Sequence, residues 1–183
     1  MGHSEARIRD YLANNINFIS DDLTVIGKEY KIAITTDKKW KSGQKVNIRG
    51  FIDILAQDSD GNYVIIEIKR SEKTAREAID EVLKYAYMLE AEFGVRESEI
   101  RIIIVSSEWD SLIVPYSKLY QKSVFSLEGI EIILDENGEP IDGAVIEPTN
   151  IPLARNISTE HIIFFSSTDE LTVRVNLDVI QRF

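Results

Sequence analysis

Apolar and polar positions along the chain follow first a helical and then a strand-like spacing. The helical spacing predicts an amphipathic first helix from Glu5 to about Asn15. Alternating apolar positions then predict three strands in succession, at residues 23–36, 46–57 and 63–70. The chain therefore begins with one helix and a run of three strands.

A long helix and further strands follow in the pattern. The capping box Thr74-x-x-Glu77 predicts where the helix begins, and Gly94 predicts where it ends. The remaining predicted elements are a strand at 100–105, a short helix at 117–122 and a strand at 129–134. The apolar run at 100–105 is typical of a central strand covered on both faces. This order of elements predicts a mixed sheet with helices packed on it, in the α/β class.

The pattern weakens after Pro140, where Pro148 and Pro152 interrupt the chain. Two further candidate strands lie beyond them, at residues 161–165 and 171–175. We therefore expect a core at residues 1–140 and a C-terminal extension at residues 141–183, which is β-rich or begins a further domain.

Composition restricts the kinds of site that this chain can form. Its 183 residues are enough for one ordinary domain, and the 44% apolar and 28% charged fractions are those of a soluble globular protein. The absence of cysteine excludes disulfides and thiolate metal sites, and two histidines exclude a histidine-rich zinc site. Any metal must be a hard cation held by oxygen. No apolar run of membrane length and no signal peptide are present, so we expect a cytoplasmic protein that does not contact a membrane.

The net charge of −10 argues against a protein that simply coats nucleic acid, although it does not exclude a nucleic-acid enzyme. The segment at residues 37–49, DKKWKSGQKVNIR, has five basic residues and one acid. A basic loop with an aromatic residue is typical of a DNA contact, and a solvated hairpin loop is the alternative. The candidate DNA-binding residues are Lys38, Lys39, Trp40, Lys41, Lys45 and Arg49.

Residues 50–69, GFIDILAQDSDGNYVIIEIK, place Asp53, Glu67 and Lys69 inside an apolar hairpin. Charged side chains are rarely buried unless they are paired or bound to a metal. A two-residue turn ending at Gly61 would mix charged and apolar residues on both faces of the hairpin. A three-residue loop with Gly61 in the left-handed conformation makes one face apolar, so we predict that loop.

The three-residue loop places Ile52 and Ile54 on the apolar face and Asp53 directly opposite Glu67 on the other. Two facing carboxylates repel each other. Either one carboxylate is protonated with a raised pKa, or a divalent cation lies between them. Lys69 lies on the same face and would partly neutralise the pair. A buried ion cluster without chemistry is the alternative.

The aspartate of GFID and the EIK after the hairpin resemble the PD-(D/E)XK nuclease superfamily, whose motif is an aspartate on one strand and acid-x-lysine on the next. Residues 5–105 agree with the order of elements in that family's core. Its RecB-like branch has Gln-x-x-x-Tyr on the next helix, where this chain has Glu81 and Tyr85. An acid at that position either repels a phosphate or reaches the metal.

The RecB-like branch also has an acid on the first helix, for which Glu5 is the candidate in this chain. Glu5 is in phase with the apolar stripe of its helix, which would direct it toward the core. The alternative is a first-turn acid that the helix dipole favours.

The resemblance implies a restriction-endonuclease-like core with a mixed central sheet flanked by helices. It also implies a metal-dependent DNA endonuclease that hydrolyses phosphodiester bonds in DNA repair or in defence against foreign DNA. Asp53, Glu67 and Lys69 would be catalytic, and Asp53, Glu67 and the Ile68 carbonyl would bind Mg²⁺ or Mn²⁺. The residues implied as supporting are Glu5, Glu81 and Tyr85. A homodimer, or a partner domain or subunit, would supply further affinity for DNA. A nuclease-fold module that has lost catalysis and binds DNA or protein is the alternative function.

Overall fold

The computed structural model describes the backbone of residues 5–39, 45–69 and 75–151, and the side chains of residues 5–35, 47–69 and 79–151. These residues belong to one compact unit that ends at Ile151. Its helices are α1 (Glu5–Asn14), α2 (Ala75–Phe93) and α3 (Ile113–Lys122). Its strands are β1 (Thr24–Lys39), β2 (Lys45–Gln57), β3 (Tyr63–Lys69), β4 (Ile100–Ser106), β5 (Ser126–Leu134) and β6 (Pro140–Val145).

The strands form one mixed sheet in the order β1-β2-β3-β4-β5-β6. The pairs β1–β2, β2–β3 and β5–β6 are antiparallel, whereas β3–β4 and β4–β5 are parallel. The chain between the parallel strands contains α2 in one connection and α3 in the other, as parallel pairing requires. The predicted α/β fold with a mixed sheet flanked by helices is confirmed.

Apolar clusters cover both faces of the sheet. On one face, α2 and α3 pack on the sheet in a cluster that we call the α2-side cluster, which includes Ile65, Tyr85, Leu89, Ile102 and Tyr116. On the other face, α1 packs in the α1-side cluster, which includes Ile8, Leu12, Ile54, Ile66 and Ile103. Because successive residues of β4 enter opposite clusters, its apolar run is that of a central strand buried on both sides.

The β2–β3 hairpin has the predicted register. Ile54 pairs with Ile66 and Ala56 pairs with Val64, and the paired residues end at Ile54 and Ile66. Gly61 has a φ of 88°, the left-handed conformation that the three-residue loop requires. Continued by one residue, this register places Asp53 opposite Glu67, at the point where the two strands separate.

The apolar sorting of this hairpin differs from the prediction at one residue. Ile52 packs in the α2-side cluster, whereas Ile54 packs in the α1-side cluster. Strict alternation fails between them, at Asp53. Opposite this point on β1, Glu29 has a φ of 46°, so the backbone of β1 is not extended at this residue, although the pairs on either side of it keep one register.

The sheet extends past the expected core boundary at residue 140, because β6 pairs with β5 as its last strand. The sequence pattern does not predict β6, because five of its six residues are exposed and show no apolar alternation. The candidate strands at 161–165 and 171–175 lie outside the described residues, and so does most of the expected extension at 141–183.

The basic segment at residues 37–49 is mostly strand and not the predicted loop. β1 continues to Lys39 and β2 begins at Lys45, and these two residues pair. Trp40 and Lys41 lie outside the described residues, as do the side chains of Lys38, Lys39 and Lys45. No helix within the described ranges has the length and apolar character needed to cross a membrane.

Candidate active site

Asp53 lies where β2 separates from β3, and its carboxylate accepts a hydrogen bond from the main chain of β3. The N–H of Ile68 donates to Oδ2 of Asp53 at 2.9 Å. Burial raises the pKa of Asp53, and the Ile68 N–H and the positive charges of Lys69 and Arg9 partly offset this effect. The aspartate is therefore held in a fixed orientation beside the end of β3.

Glu67 is the most deeply buried acid of the site, with 3% of its surface exposed. Its Oε1 lies 3.0 Å from Nζ of Lys69, whereas its Oε2 is buried and has no hydrogen-bond partner. Burial, and then the negative charge of Asp53, raise the pKa of Glu67 to about 8. An unpartnered buried carboxylate oxygen is costly, and a bound cation would satisfy it.

Lys69 connects Glu67 with Glu81 of α2. Its Nζ lies 2.7 Å from Oε2 of Glu81 in addition to its contact with Glu67. Burial alone would lower the pKa of Lys69, but the charge of Glu67 and the hydrogen bonds to both carboxylates raise it. Lys69 is therefore protonated at neutral pH. Glu81 therefore binds the lysine, and whether it also repels a phosphate or reaches a metal stays a prediction.

Tyr85 lies one helical turn after Glu81 and is buried in the α2-side cluster. Burial, and then the negative charge of Glu67, raise the pKa of Tyr85 to about 12, so the phenol stays neutral. A Cβ atom at Gly50 would overlap the ring of Tyr85. Tyr85 therefore fixes α2 against β2 next to the acidic residues.

Arg9 of α1 also reaches the site, which the sequence analysis missed. Its Nη1 lies 3.6 Å from Oδ1 of Asp53 and 3.0 Å from Oε1 of Glu29. The Arg9 side chain is largely buried, and its Nε has no hydrogen-bond partner. Its position beside the buried Ile8 on α1 was the available signal. The two carboxylates it contacts are on strands, so no local pattern pairs them with it.

Glu5 does not point into the core, so that expectation was wrong. The residue is exposed, and the buried stripe of α1 consists of Ile8 and Leu12. It lies in the first turn of its helix, where the dipole favours an acid. Its charge nevertheless contributes to raising the pKa of Asp53, so Glu5 lies near the site at its solvent side.

The donor atoms of this site fit a hard divalent cation. In the described part of the chain, no three histidine, aspartate or glutamate side chains are grouped as a metal site. Mg²⁺, however, usually binds one or two carboxylates together with water and substrate oxygens. The candidate donors are the carboxylates of Asp53 and Glu67 and the carbonyl of Ile68, and the unpartnered Oε2 of Glu67 is the observation that supports them.

Arg49 is exposed on β2, and it is the one predicted DNA-binding residue whose side chain the structure describes. The other five, Lys38, Lys39, Trp40, Lys41 and Lys45, have side chains outside the described residues. Their role in binding DNA stays a prediction.

One family model and several solved structures are similar to this chain. The family model described as "Endonuclease NucS C-terminal domain" matches residues 4–111. An EndoMS–dsDNA2 complex is 23% identical over 70% of this chain and 44% of that chain, with a TM-score of 0.47. A repair endonuclease from Pyrococcus abyssi is 21% identical over 72% and 48%, with a TM-score of 0.45. EndoMS in its apo form is 20% identical over 72% and 48%, with a TM-score of 0.40. No curated protein matches significantly. The chain covers less than half of the length of each of these three structures.

Proposed function

Because the chain belongs to the family of NucS endonuclease C-terminal domains, we propose that it is the nuclease domain of a DNA endonuclease. Its reaction is the hydrolysis of phosphodiester bonds with Mg²⁺ or Mn²⁺, in DNA repair or in defence against foreign DNA. Asp53, Glu67 and Lys69 carry the reaction. Their order along β2 and β3 supports membership of the PD-(D/E)XK nucleases, and Tyr85 on α2 supports the RecB-like branch, although Glu81 departs from its glutamine.

The observation that carries this proposal is the buried, unpartnered Oε2 of Glu67 beside Asp53. A site built for stability alone would pair both oxygens of so deeply buried a carboxylate. Asp53, Glu67 and the Ile68 carbonyl would hold the cation. When bound, it would stabilise the charge that develops on the phosphate oxygens and acidify water at the site.

The other residues orient the acids and balance charge. Lys69, which is protonated between Glu67 and Glu81, would stabilise the negative charge of the phosphate in the transition state. Its raised pKa supports this role over that of a general base. Arg9 and the Ile68 N–H hold Asp53, so that the carboxylate does not have to reorient during the reaction.

Cleavage of plasmid and single-stranded DNA by the purified protein tests the proposal. We expect cleavage with Mg²⁺ or Mn²⁺ and none in EDTA. The substitutions Asp53→Asn, Glu67→Gln and Lys69→Met should each reduce the rate by roughly 10³-fold or more. Asp60→Asn, in the exposed hairpin loop, is the matched control and should leave the rate unchanged.

Metal binding gives a readout that does not depend on turnover. Titration calorimetry with Mn²⁺ should show binding that Asp53→Asn and Glu67→Gln each weaken. Equal cleavage in EDTA, or by the Asp53→Asn protein, contradicts the proposal. DNA binding without any cleavage supports the alternative of a nuclease-fold module that has lost catalysis.

The basic residues of the β1–β2 hairpin are part of the same proposal, as contacts with DNA phosphates. Removing the charges of Lys38, Lys39 and Lys41 together should lower the log-log salt dependence of DNA binding by up to about three units. A second copy of the chain, or a partner domain, would supply the remaining affinity. An unchanged salt slope would exclude these three residues as DNA contacts without affecting the nuclease proposal.

A further inference from the structure

Glu29 has a left-handed backbone conformation and lies opposite Asp53 in the sheet. Within the described ranges it is the one residue other than glycine with a positive φ, which is 46°. Its two neighbours on β1, Lys28 and Tyr30, pair with the two neighbours of Asp53 on β2. A left-handed conformation costs a residue with a Cβ atom about 1 kcal/mol or more, and it persists where the surrounding contacts require it.

The left-handed conformation turns the carboxylate of Glu29 toward α1. Lys28, the preceding residue, also binds α1, through Asp10, whereas Tyr30 packs against the α2-side cluster. In a regular strand, neighbouring side chains point to opposite faces of the sheet. The backbone of Glu29 breaks this alternation, and two adjacent residues of β1 therefore bind the same helix.

The Glu29 side chain is 62% exposed, but it binds Arg9, which is only 14% exposed. Its Oε1 lies 3.0 Å from Nη1 of Arg9. The same nitrogen lies 3.6 Å from Oδ1 of Asp53. Since N–H···O hydrogen bonds extend to about 3.2 Å, Arg9 bonds Glu29 directly and acts on Asp53 from a longer distance. The two acids therefore compete for one nitrogen of Arg9, and Glu29 has the shorter contact.

Asp53 is a candidate ligand of the divalent cation, so Arg9 and the cation would compete for its carboxylate. Oδ2 of Asp53 accepts the N–H of Ile68, and Oδ1 is the oxygen that Arg9 approaches. A direct ion pair with Arg9 would neutralise Asp53 and repel a cation. At the longer distance, the charge of Asp53 stays available.

We propose that Glu29 is a positioning residue for the cation site, because it keeps Arg9 out of a direct ion pair with Asp53. With Glu29 in place, Arg9 helps to orient Asp53 and leaves its charge to Mg²⁺ or Mn²⁺. Without Glu29, Arg9 closes on Asp53 and takes the place of the cation. This inference rests on the proposed nuclease function, and it makes metal affinity depend on a residue outside the Asp53, Glu67 and Lys69 set.

Titration calorimetry of the full chain with Mn²⁺ tests the inference without any cleavage. The titration is done in about 0.5 M NaCl, which screens exposed charges. Glu29→Gln should raise the dissociation constant about threefold or more, and Arg9→Met should lower it by about the same factor. Because Glu29 acts through Arg9, the double variant should bind Mn²⁺ like Arg9→Met. Glu29→Gly, which suits a positive φ, should bind as weakly as Glu29→Gln.

The exposed ion pair of Lys28 with Asp10 joins the same strand to the same helix and provides the matched controls. Its two atoms are 2.8 Å apart, and each side chain is 50% exposed. Asp10→Asn removes the same charge as Glu29→Gln, and Lys28→Met removes the same charge as Arg9→Met. Both controls should change the dissociation constant less than about twofold.

The signs of the changes separate competition from a merely structural role. An ion pair that only held α1 on the sheet would weaken Mn²⁺ binding in both single variants, so weaker binding in Arg9→Met overturns the inference. An effect of Glu29→Gln that keeps its size in the Arg9→Met background also overturns it, because Glu29 then does not act through Arg9.

The same titrations separate this inference from the proposed function. Wild-type Mn²⁺ affinity in both Glu29→Gln and Glu29→Gly overturns the inference, while Mn²⁺ binding that Asp53→Asn weakens still supports the nuclease site. A wild-type protein that does not bind Mn²⁺ overturns both.

Discussion

The guanidinium group of Arg9 lies 3.6 Å from Oδ1 of Asp53, so helix α1 holds one side of an acid that belongs to the sheet. The other oxygen of Asp53 accepts the N–H of Ile68, and the carboxylate is thereby held from two elements. Arg9 also contacts Glu29, which turns Arg9 toward the sheet. Asp53 therefore owes its orientation to residues from α1 and β3 as well as to its own strand.

Removal of the Arg9 charge should raise the pKa of Asp53 further. Burial raises this pKa, and the charge of Arg9 is one of the influences that lower it. Arg9→Met removes that charge, so the pKa should rise. An NMR titration of the Asp53 carboxyl carbon in metal-free protein measures the midpoint. Arg9→Lys should restore part of the difference. Arg7→Met, on the exposed side of the same helix, is the control, and an equal shift there would contradict the role of Arg9.

Stability without metal should fall as the pH rises, because of Glu67. Burial raises the pKa of Glu67 to about 8 in the folded protein, whereas in the unfolded chain it has its ordinary value of 4.5. Between these two pH values the folded state therefore binds more protons than the unfolded state. The free energy of unfolding then decreases with rising pH through this window, by at most about 5 kcal/mol. Urea unfolding in EDTA at a series of pH values measures the decrease.

Glu67→Gln provides the control for this pH dependence, because an amide has the shape of the acid and does not titrate. Its stability should vary much less between pH 4.5 and 8 than that of the wild type. Saturating Mn²⁺ should reduce the pH dependence of the wild type, since a cation favours the ionised carboxylate. A wild-type curve as flat as that of Glu67→Gln would contradict the raised pKa.

Glu81→Gln should retain the fold and improve DNA binding. The amide oxygen can still accept a hydrogen bond from Lys69, while one negative charge beside the phosphate site is removed. We expect a DNA affinity about two- to tenfold higher at low salt, with the gain decreasing at high salt. Glu92→Gln, exposed on the same helix, removes the same charge away from the site and should change affinity less. Equal gains in both variants would assign the effect to net charge.

Gly61→Ala should destabilise the protein without affecting cleavage by the folded fraction. Gly61 has a φ of 88°, and an added Cβ would meet no atom closer than 4.0 Å, so the backbone conformation alone accounts for the penalty. We expect a loss of about 1–2 kcal/mol in urea unfolding. Asp60→Ala in the same loop is the comparison. An unchanged unfolding midpoint in Gly61→Ala would contradict the strain argument.

The register of the β2–β3 hairpin could be predicted because hydrophobic sorting admits one solution there. Ile54 and Ile66 had to share a face, and a slip of one residue would have placed them on opposite faces of the sheet. The same sorting of apolar residues predicts that Asp53 lies opposite Glu67. The face on which Ile52 lies could not be predicted in this way, because alternation predicts faces only while a strand stays regular. Glu29, with its positive φ, departs from extended backbone on β1 next to this position.

The contacts of Arg9 and the strand β6 could not be predicted, for different reasons. Arg9 meets Glu29 and Asp53 only after α1 packs on the sheet, and long-range ion pairs leave no periodic trace in a sequence. β6 is an edge strand whose residues are mostly exposed, so it needs no apolar alternation and is formed by backbone pairing with β5. Glu5 has the spacing of the apolar stripe of α1 but is exposed, because the buried part of that stripe begins one turn later, at Ile8.

The close fit of Gly50 against the ring of Tyr85 links two positions that are distant in sequence. A side chain at position 50 requires a smaller residue at position 85, and a tyrosine at position 85 requires glycine at position 50. In evolution these positions should therefore change together, with the tyrosine replaced by a smaller residue before the glycine gains a side chain. In a relative with a small residue at position 85, nothing requires glycine at the first position of GFID. Its motif can then keep the aspartate while another residue takes the place of the glycine.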